Sequence, residues 1–314
     1  MVNSRDVDQI HDKIMKERED GSNGWTLNTA SPDRIKEGMA QADQPRAEGN
    51  LQYHTHTGEG DLSALCLIVG APGRAELIAD RYFAKARRFS NEHRGLVSFT
   101  GEYKGVEVSV TTSGMGGPSI GIVLPEAVRS GARIFIRVGT CGSLIPASKP
   151  GDVIIVTAAI RFDRTAEDWA PVEYPAFADW RVVGALYKAA SSRAAGRFHT
   201  GVECTTSDFY AAQGRPNLFG VVPEPLRGRH EEVLRLGAAC YSMEAADLFI
   251  WCATEGGGLP AGAVNAVLGN RRTNEWDVVG EELTSEVALD ALVTLSQEES
   301  IAEYVSRRAP IYPK

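Results

Sequence analysis

From Leu62 onward, short apolar runs alternate with longer amphipathic ones. Leu65–Val69 is an unbroken apolar run suited to a buried strand, and Gly70-Ala71-Pro72-Gly73 leads from it into a helix near Arg74–Phe83. Leu96–Thr100 and Val106–Thr112 carry strand patterns, and the Gly101–Gly105 segment between them predicts a hairpin. Further along, the pattern predicts a helix over Ser119–Ser130 and strands over Ile134–Val138 and Asp152–Ala158. A helix over Trp180–Ser192, a strand over His199–Thr206, a nearly all-apolar helix over Glu244–Glu255 and a strand over Ala261–Leu268 follow, and an amphipathic helix over Glu281–Ser306 closes the chain. Strands alternating with helices of this length imply an α/β fold on a mixed, largely parallel sheet. Residues 1–50 differ: they are polar, broken by Gly21-Ser22-Asn23-Gly24, and carry one short helical pattern near Val7–Arg18. They read as an extension to a single domain over 51–314.

Composition narrows the class. The 314 residues are 43% hydrophobic and 24% charged, ordinary for a soluble globular protein. No apolar run reaches a membrane span, and the N-terminus lacks the apolar core of a secretory signal. Five scattered cysteines (Cys66, Cys141, Cys204, Cys240 and Cys252) read as buried thiols of a cytoplasmic protein. A net charge of −8 argues against a nucleic-acid partner but leaves room for a small anion held by local arginines.

Such arginines exist. The strand Val106–Thr112 runs into Gly114-Met115-Gly116-Gly117, where Pro118 opens a helix, and Arg137 interrupts the next apolar strand just before a second glycine turn. Glycine-loop amides, a helix start and a guanidinium at a strand's carboxyl end suit a tetrahedral anion. Arg74 follows its own strand–glycine turn, and Arg94 lies in Asn91-Glu92-His93-Arg94-Gly95. The structural alternative for Arg137 is an ion pair with a buried carboxylate such as Glu126 or Glu244. Phe209, Gln213 and Arg215 could hold a flat heterocycle by face and edge, or belong to a solvated loop. Glu244 could accept hydrogen bonds from a sugar diol, or complement a helix dipole behind an N-capping Ser242. Gly114-x-Gly116-x-x-Ser119 is an incomplete dinucleotide motif, and His54-Thr55-His56 lacks a third ligand at metal-site spacing. No metal site is expected.

Taken in order, V-G-A-P-G-R at 69–74, H-R at 93–94, S-G-M-G-G-P-S at 113–119, R-V-G-T at 137–140, D-F-Y-A-A-Q-G-R at 208–215 and Y-S-M-E-A at 241–245 resemble the nucleoside phosphorylase-I family, specifically its uridine phosphorylases. The resemblance runs from about Tyr53 to the final helix. It implies a three-layer α/β/α domain with a central mixed sheet, and phosphorolysis of uridine, deoxyuridine or thymidine to free base and (deoxy)ribose 1-phosphate. Gly70, Arg74, Arg137 and Thr140 would bind phosphate, with Arg94 reaching in from a neighbouring subunit. His54 from the neighbour, Met243 and Glu244 would hold the ribose. Phe209, Gln213 and Arg215 would hold the base, with Arg271 closing over it. Arg137, Glu244 and Arg271 would carry the catalysis. Shared sites imply a homodimer or a hexamer built as a trimer of dimers; phosphate is a co-substrate and no cofactor is implied. Departures are Ser242, where many relatives carry an acid, Gly95, where a glutamate is common, and the proline-rich stretch Pro216–Arg235. The alternatives are a purine nucleoside phosphorylase, against which Gln213, Arg215 and Asn270 weigh, and a nucleosidase using water, against which the arginines weigh.

Overall fold

The computed structural model describes residues 45–298 and 301. The chain divides at Pro45/Arg46, and every element named below belongs to Arg46–Lys314. The helix expected near Val7–Arg18 lies outside the described residues.

Strand β1 (Leu65–Val69) is central, paired in parallel with β4 (Val106–Thr112) on one side and β5 (Ile134–Ser143) on the other. Alternation along β1 builds the layers. Leu65, Leu67 and Val69 face a core shared with α1 (Pro72–Tyr82), α3 (Trp180–Arg193) and α6 (Glu281–Ser296). Cys66 and Ile68 face the opposite core, built with α2 (Gly117–Arg129) and α5 (Ala245–Ala253). The result is the expected α/β/α sandwich on a mixed sheet.

On one flank β4 continues antiparallel into β3 (Leu96–Tyr103) and β2 (Ala84–Asn91). The β3–β4 turn places Lys104 and Gly105 at φ 52° and 79°, the left-handed pair that a tight hairpin requires. On the other flank β5 pairs with β10 (Ala261–Asn270), β10 with β6 (Val153–Phe162), β6 with β8 (Phe198–Thr206), β8 with β9 (Cys240–Ser242), and β9 with β5 again. Five strands thus close into a ring. Two-residue strands β7 (Ala176–Phe177) and β11 (Glu275–Trp276) pair with β6 and β10, and α4 (Arg229–Arg235) precedes β9.

Boundaries differ from the sequence expectation for physical reasons. Helices α1 and α2 begin earlier than expected because Pro72 and Pro118 occupy first-turn positions, where a missing N–H costs nothing. Strand β5 runs on to Ser143 because β9 and β10 supply its partners. Helix α6 spans Glu281–Ser296 with Gln297 as its cap; of the expected continuation to Ser306, residues 299, 300 and 302–306 lie outside the described residues. Helix α5 starts at Ala245 with Glu244 as N-cap, and Ser242 ends β9, so Ser242 is not the cap. Among the described residues no helix is long and apolar enough to cross a membrane.

Candidate active site

Strand alternation dictates where Arg137 points. Ile136 and Val138 lie in the α1/α6 core while Phe135 lies in the α2/α5 core, so Arg137 emerges on the α5 face. There it meets Glu244, the residue immediately before α5, and Nη2 of Arg137 pairs with Glu244 Oε2. The structural alternative named for Arg137 is therefore present as an ion pair with Glu244. Glu126 is not involved: it accepts from His54 Nδ1 at 2.7 Å and from the Thr55 N–H at 2.8 Å.

Glu244 gathers donors from three segments. Its Oε1 accepts the Gly116 N–H at 2.9 Å; its Oε2 accepts the Met243 N–H and the Ser242 hydroxyl, each at 3.2 Å. The glycine loop thus donates to this carboxylate, a partner the sequence did not reveal. Gly114 and Gly116 take φ of 78° and 82°, left-handed backbone that turns the loop toward Glu244 before α2 begins. Nη1 of Arg137 donates to Asn265 Oδ1 at 3.3 Å, and a Cβ on Gly139 would lie 1.6 Å from that same Nη1. Gly139 is the space the guanidinium occupies.

Arg74 lies beside the same strand. Its Nη1 donates to the Val138 carbonyl at 3.0 Å and its Nη2 pairs with Glu281 at the start of α6. Gly70 is packed against the glycine loop, where a Cβ would meet the Gly114 carbonyl at 3.4 Å, and Thr140 is half-buried on β5. Arg74 and Arg137 share a further property: each has a buried Nε–H with no acceptor. Arg161 has one as well, but its other N–H groups donate to the carbonyls of Ala166, Ala170, Pro171 and Tyr174 and clamp that loop.

The third cluster follows β8. Gln213 is buried; its Nε2 donates to the Thr206 hydroxyl at 3.0 Å and its Oε1 accepts from Arg215 Nη1 at 2.6 Å. The Arg215 guanidinium lies 4.0 Å over the Phe209 ring, and both terminal nitrogens of Arg271 donate to the Gln213 carbonyl at 3.1 Å. Burial, and then the neighbouring Arg271, lower Arg215 to about 10. Burial also lowers Arg271. Beneath Arg271 the Tyr241 ring stacks with His230, whose Nδ1 lies 3.1 Å from the Tyr241 hydroxyl. Asn270 is occupied elsewhere: its amide donates to the Ser148 carbonyl at 2.7 Å and accepts from the N–H groups of Arg272 and Thr273.

His54 and Arg94 stand together. Asn91 donates to the carbonyls of Tyr53 and His54, both at 3.0 Å, and Arg94 lies 5.6 Å over the Tyr53 ring. Among the described residues none of their bonds reaches Arg137, Glu244 or the Gln213 cluster. Sequence reasoning passed over Glu203 and Asn265 beneath Arg137, Asp163 and Asp247 beside Gly117, and the His230–Tyr241 pair. Asn265 interrupts an apolar strand as Arg137 does, and Asp247 an apolar helix; those interruptions were the available signal.

Comparison with known proteins agrees with this arrangement. The Phosphorylase superfamily pattern matches residues 64–297. The uridine phosphorylase of Thermococcus kodakarensis is 38% identical over 273 residues, covering 87% of this chain and 96% of its own length. That of Escherichia coli is 36% identical over 226 residues, 71% of this chain and 87% of its own. A DeoD-type purine nucleoside phosphorylase of Jannaschia is 33% identical over 63% of this chain and 80% of its own. With one arginine just past the end of β1 and another within β5, a glycine loop bonded to a helix-opening glutamate and an α/β/α frame that all fall within the matched residues, the chain belongs to the phosphorylase superfamily, on its nucleoside phosphorylase-I, uridine phosphorylase-like side.

Proposed function

We propose that the protein is a uridine phosphorylase-like pentosyltransferase, which cleaves a pyrimidine nucleoside with inorganic phosphate to free base and (deoxy)ribose 1-phosphate. The observation that carries this reading is the pair Arg74 and Arg137, one just past the carboxyl end of β1 and the other on β5 opposite Ile68 near that end, each with a buried, unsatisfied Nε–H. A buried donor without an acceptor costs about 1–3 kcal/mol, and a phosphate oxygen supplies one. Gly70 and Thr140 complete the cradle. The relatives' activity supports the same reading.

Chemistry follows from three adjoining clusters. Phosphate attacks the anomeric carbon on the face opposite the base, the glycosidic bond breaks, and its electron pair leaves with the base. Arg74 and Arg137 fix the nucleophile, an effect of proximity and electrostatics together. Glu244, already surrounded by donors, accepts from the ribose hydroxyls beside Met243. Gln213 and Arg215 donate to the base as its negative charge develops, Phe209 covers its face, and Arg271 holds the Gln213 loop from above. No step draws on a metal or cofactor. His54 and Arg94, grouped around Tyr53 and Asn91 and unbonded to these clusters among the described residues, serve the site of a neighbouring copy, in a homodimer or a trimer of dimers. The cytoplasm is the proposed compartment.

The test is base release from uridine, deoxyuridine, thymidine, cytidine and inosine, each with and without phosphate. Phosphate-dependent release of uracil or thymine is expected, and Arg137→Ala should abolish it while leaving the fold intact. Release indifferent to phosphate overturns phosphorolysis, and preference for inosine overturns the roles given to Gln213 and Arg215.

A further inference from the structure

Behind Arg137 lies a buried polar chain that makes none of the substrate contacts proposed above. Glu203 on β8 is fully buried. Its Oε1 accepts from the Thr205 hydroxyl at 2.8 Å and from the Ala245 N–H at 3.3 Å, and its Oε2 accepts Asn265 Nδ2–H at 2.9 Å. Asn265 on β10 sits opposite Gly139 in the parallel ladder, and its Oδ1 accepts from Arg137 Nη1. The sequence of bonds runs Glu203, Asn265, Arg137, Glu244.

Burial, together with the nearby Glu244 charge, raises the Glu203 pKa, and Arg137 and the hydrogen bonds of Thr205 and Asn265 offset only part of that shift. Every group hydrogen-bonded to its two oxygens is a donor. That leaves the Asn265 amide one orientation, with nitrogen toward Glu203 and oxygen toward Arg137. Reversed, the amide would set oxygen against carboxylate and N–H₂ against guanidinium. Gly139 closes the remaining side, since a Cβ there would lie 2.3 Å from Asn265 Oδ1. A buried carboxylate is a costly way to join strands that β6 and β9 already connect. Its outcome is that one guanidinium arm is tethered to Asn265, the other to Glu244, and the Nε–H stays unpartnered.

We propose that Glu203 and Asn265 are positioning residues for phosphorolysis: by fixing the Asn265 amide they lock the Arg137 guanidinium so that its free N–H meets phosphate. This rests on the assignment of Arg137 to phosphate. A displacement of about 1 Å at a positioning contact can cost about a hundredfold in rate.

Four variants, Glu203→Gln, Asn265→Ala, Asn265→Asp and the double variant Glu203→Gln/Asn265→Asp, separate this from a purely structural role, with thermal melting confirming the folded fraction. Glu203→Gln turns one accepting oxygen into an N–H₂ group, so the three donors from Thr205, Ala245 and Asn265 can no longer all be satisfied. Each single variant should lower kcat/KM for phosphate by about 10- to 100-fold per folded enzyme, and raise KM for phosphate more than KM for uridine. The double variant exchanges acid and amide and rebuilds the chain: the amide now on β8 donates to the carboxylate now on β10, which in turn accepts from Arg137. It should recover most of the loss. Single variants within about twofold of the parent per folded molecule, or a double variant no better than Asn265→Asp, overturn the proposal. Arg137→Ala is the control. If it loses phosphorolysis while Asn265→Ala does not, the relay is wrong and the phosphate assignment stands; if it keeps phosphate-dependent turnover, that assignment is what has failed.

Discussion

Arg137 is a mid-strand charge that a central strand tolerates because both ends of its guanidinium fork are held. Glu244 takes one nitrogen, Asn265 another, and the backbone of Gly139 leaves the room. Gly139→Ala is accordingly a sharper probe than its size suggests: the added methyl must evict the guanidinium. It should lower kcat/KM for phosphate at least about a hundredfold while melting stays cooperative, as initial-rate kinetics with thermal denaturation will show. Unchanged kinetics would mean that Arg137 contacts no reactant. At the Gln213 cluster the same economy holds, with Arg215 buttressed by the Phe209 ring and by Gln213, and its pKa held down to about 10 by burial and by Arg271.

At the scale of elements, the junction of α2 and α5 organises the site. The glycine loop before α2 hands its Gly116 N–H to Glu244, and one turn into α5 Asp247 is buried against Gly117 and Asp163. Burial, and then Asp163, push the Asp247 carboxyl up to about 9, so it carries its proton at neutral pH. In the unfolded chain it ionises near 3.8, so between about 4 and 9 the native state holds the extra proton and stability falls as pH rises. Asp247→Asn removes this titration. Melting temperature against pH should fall less steeply for that variant than for the parent between pH 5 and 9; parallel curves would show Asp247 ionised in the fold. These elements also mark what the sequence could and could not tell. β1, β4, β5, β8, β10 and the helices on both faces announced themselves by apolar runs and periodicity. β2, an exposed edge rich in lysine and arginine, and three-residue β9 exist because a neighbour pairs with them, which no local pattern records. Likewise the residue types of Arg137, Glu244 and Gln213 were visible, but Glu203 and Asn265 acquire meaning only when distant strands bring them side by side.

For the whole molecule, the lack of any bond, among the described residues, from His54 or Arg94 to Arg137 or Glu244 sets a test of assembly. If copies exchange these residues, Arg94→Ala and Arg137→Ala subunits are each inactive alone, yet a mixed dimer holds one intact site. Co-expression of the two variants should therefore restore about a quarter of parental activity, half the dimers being mixed with one working site of two. No recovery in a demonstrably mixed population would confine every site to one chain. The ring formed by β5, β10, β6, β8 and β9 has a different bearing on the same residues. In an open sheet a strand can slip against a single neighbour and remain paired. In a closed one, a slip breaks two ladders and must be matched all the way round. Arg137, Asn265 and Glu203 lie on three of these strands, so their alignment is kept in phase by topology before any side chain makes its bond. A shifted register would thus break backbone ladders around the ring before it displaced any of these three side chains.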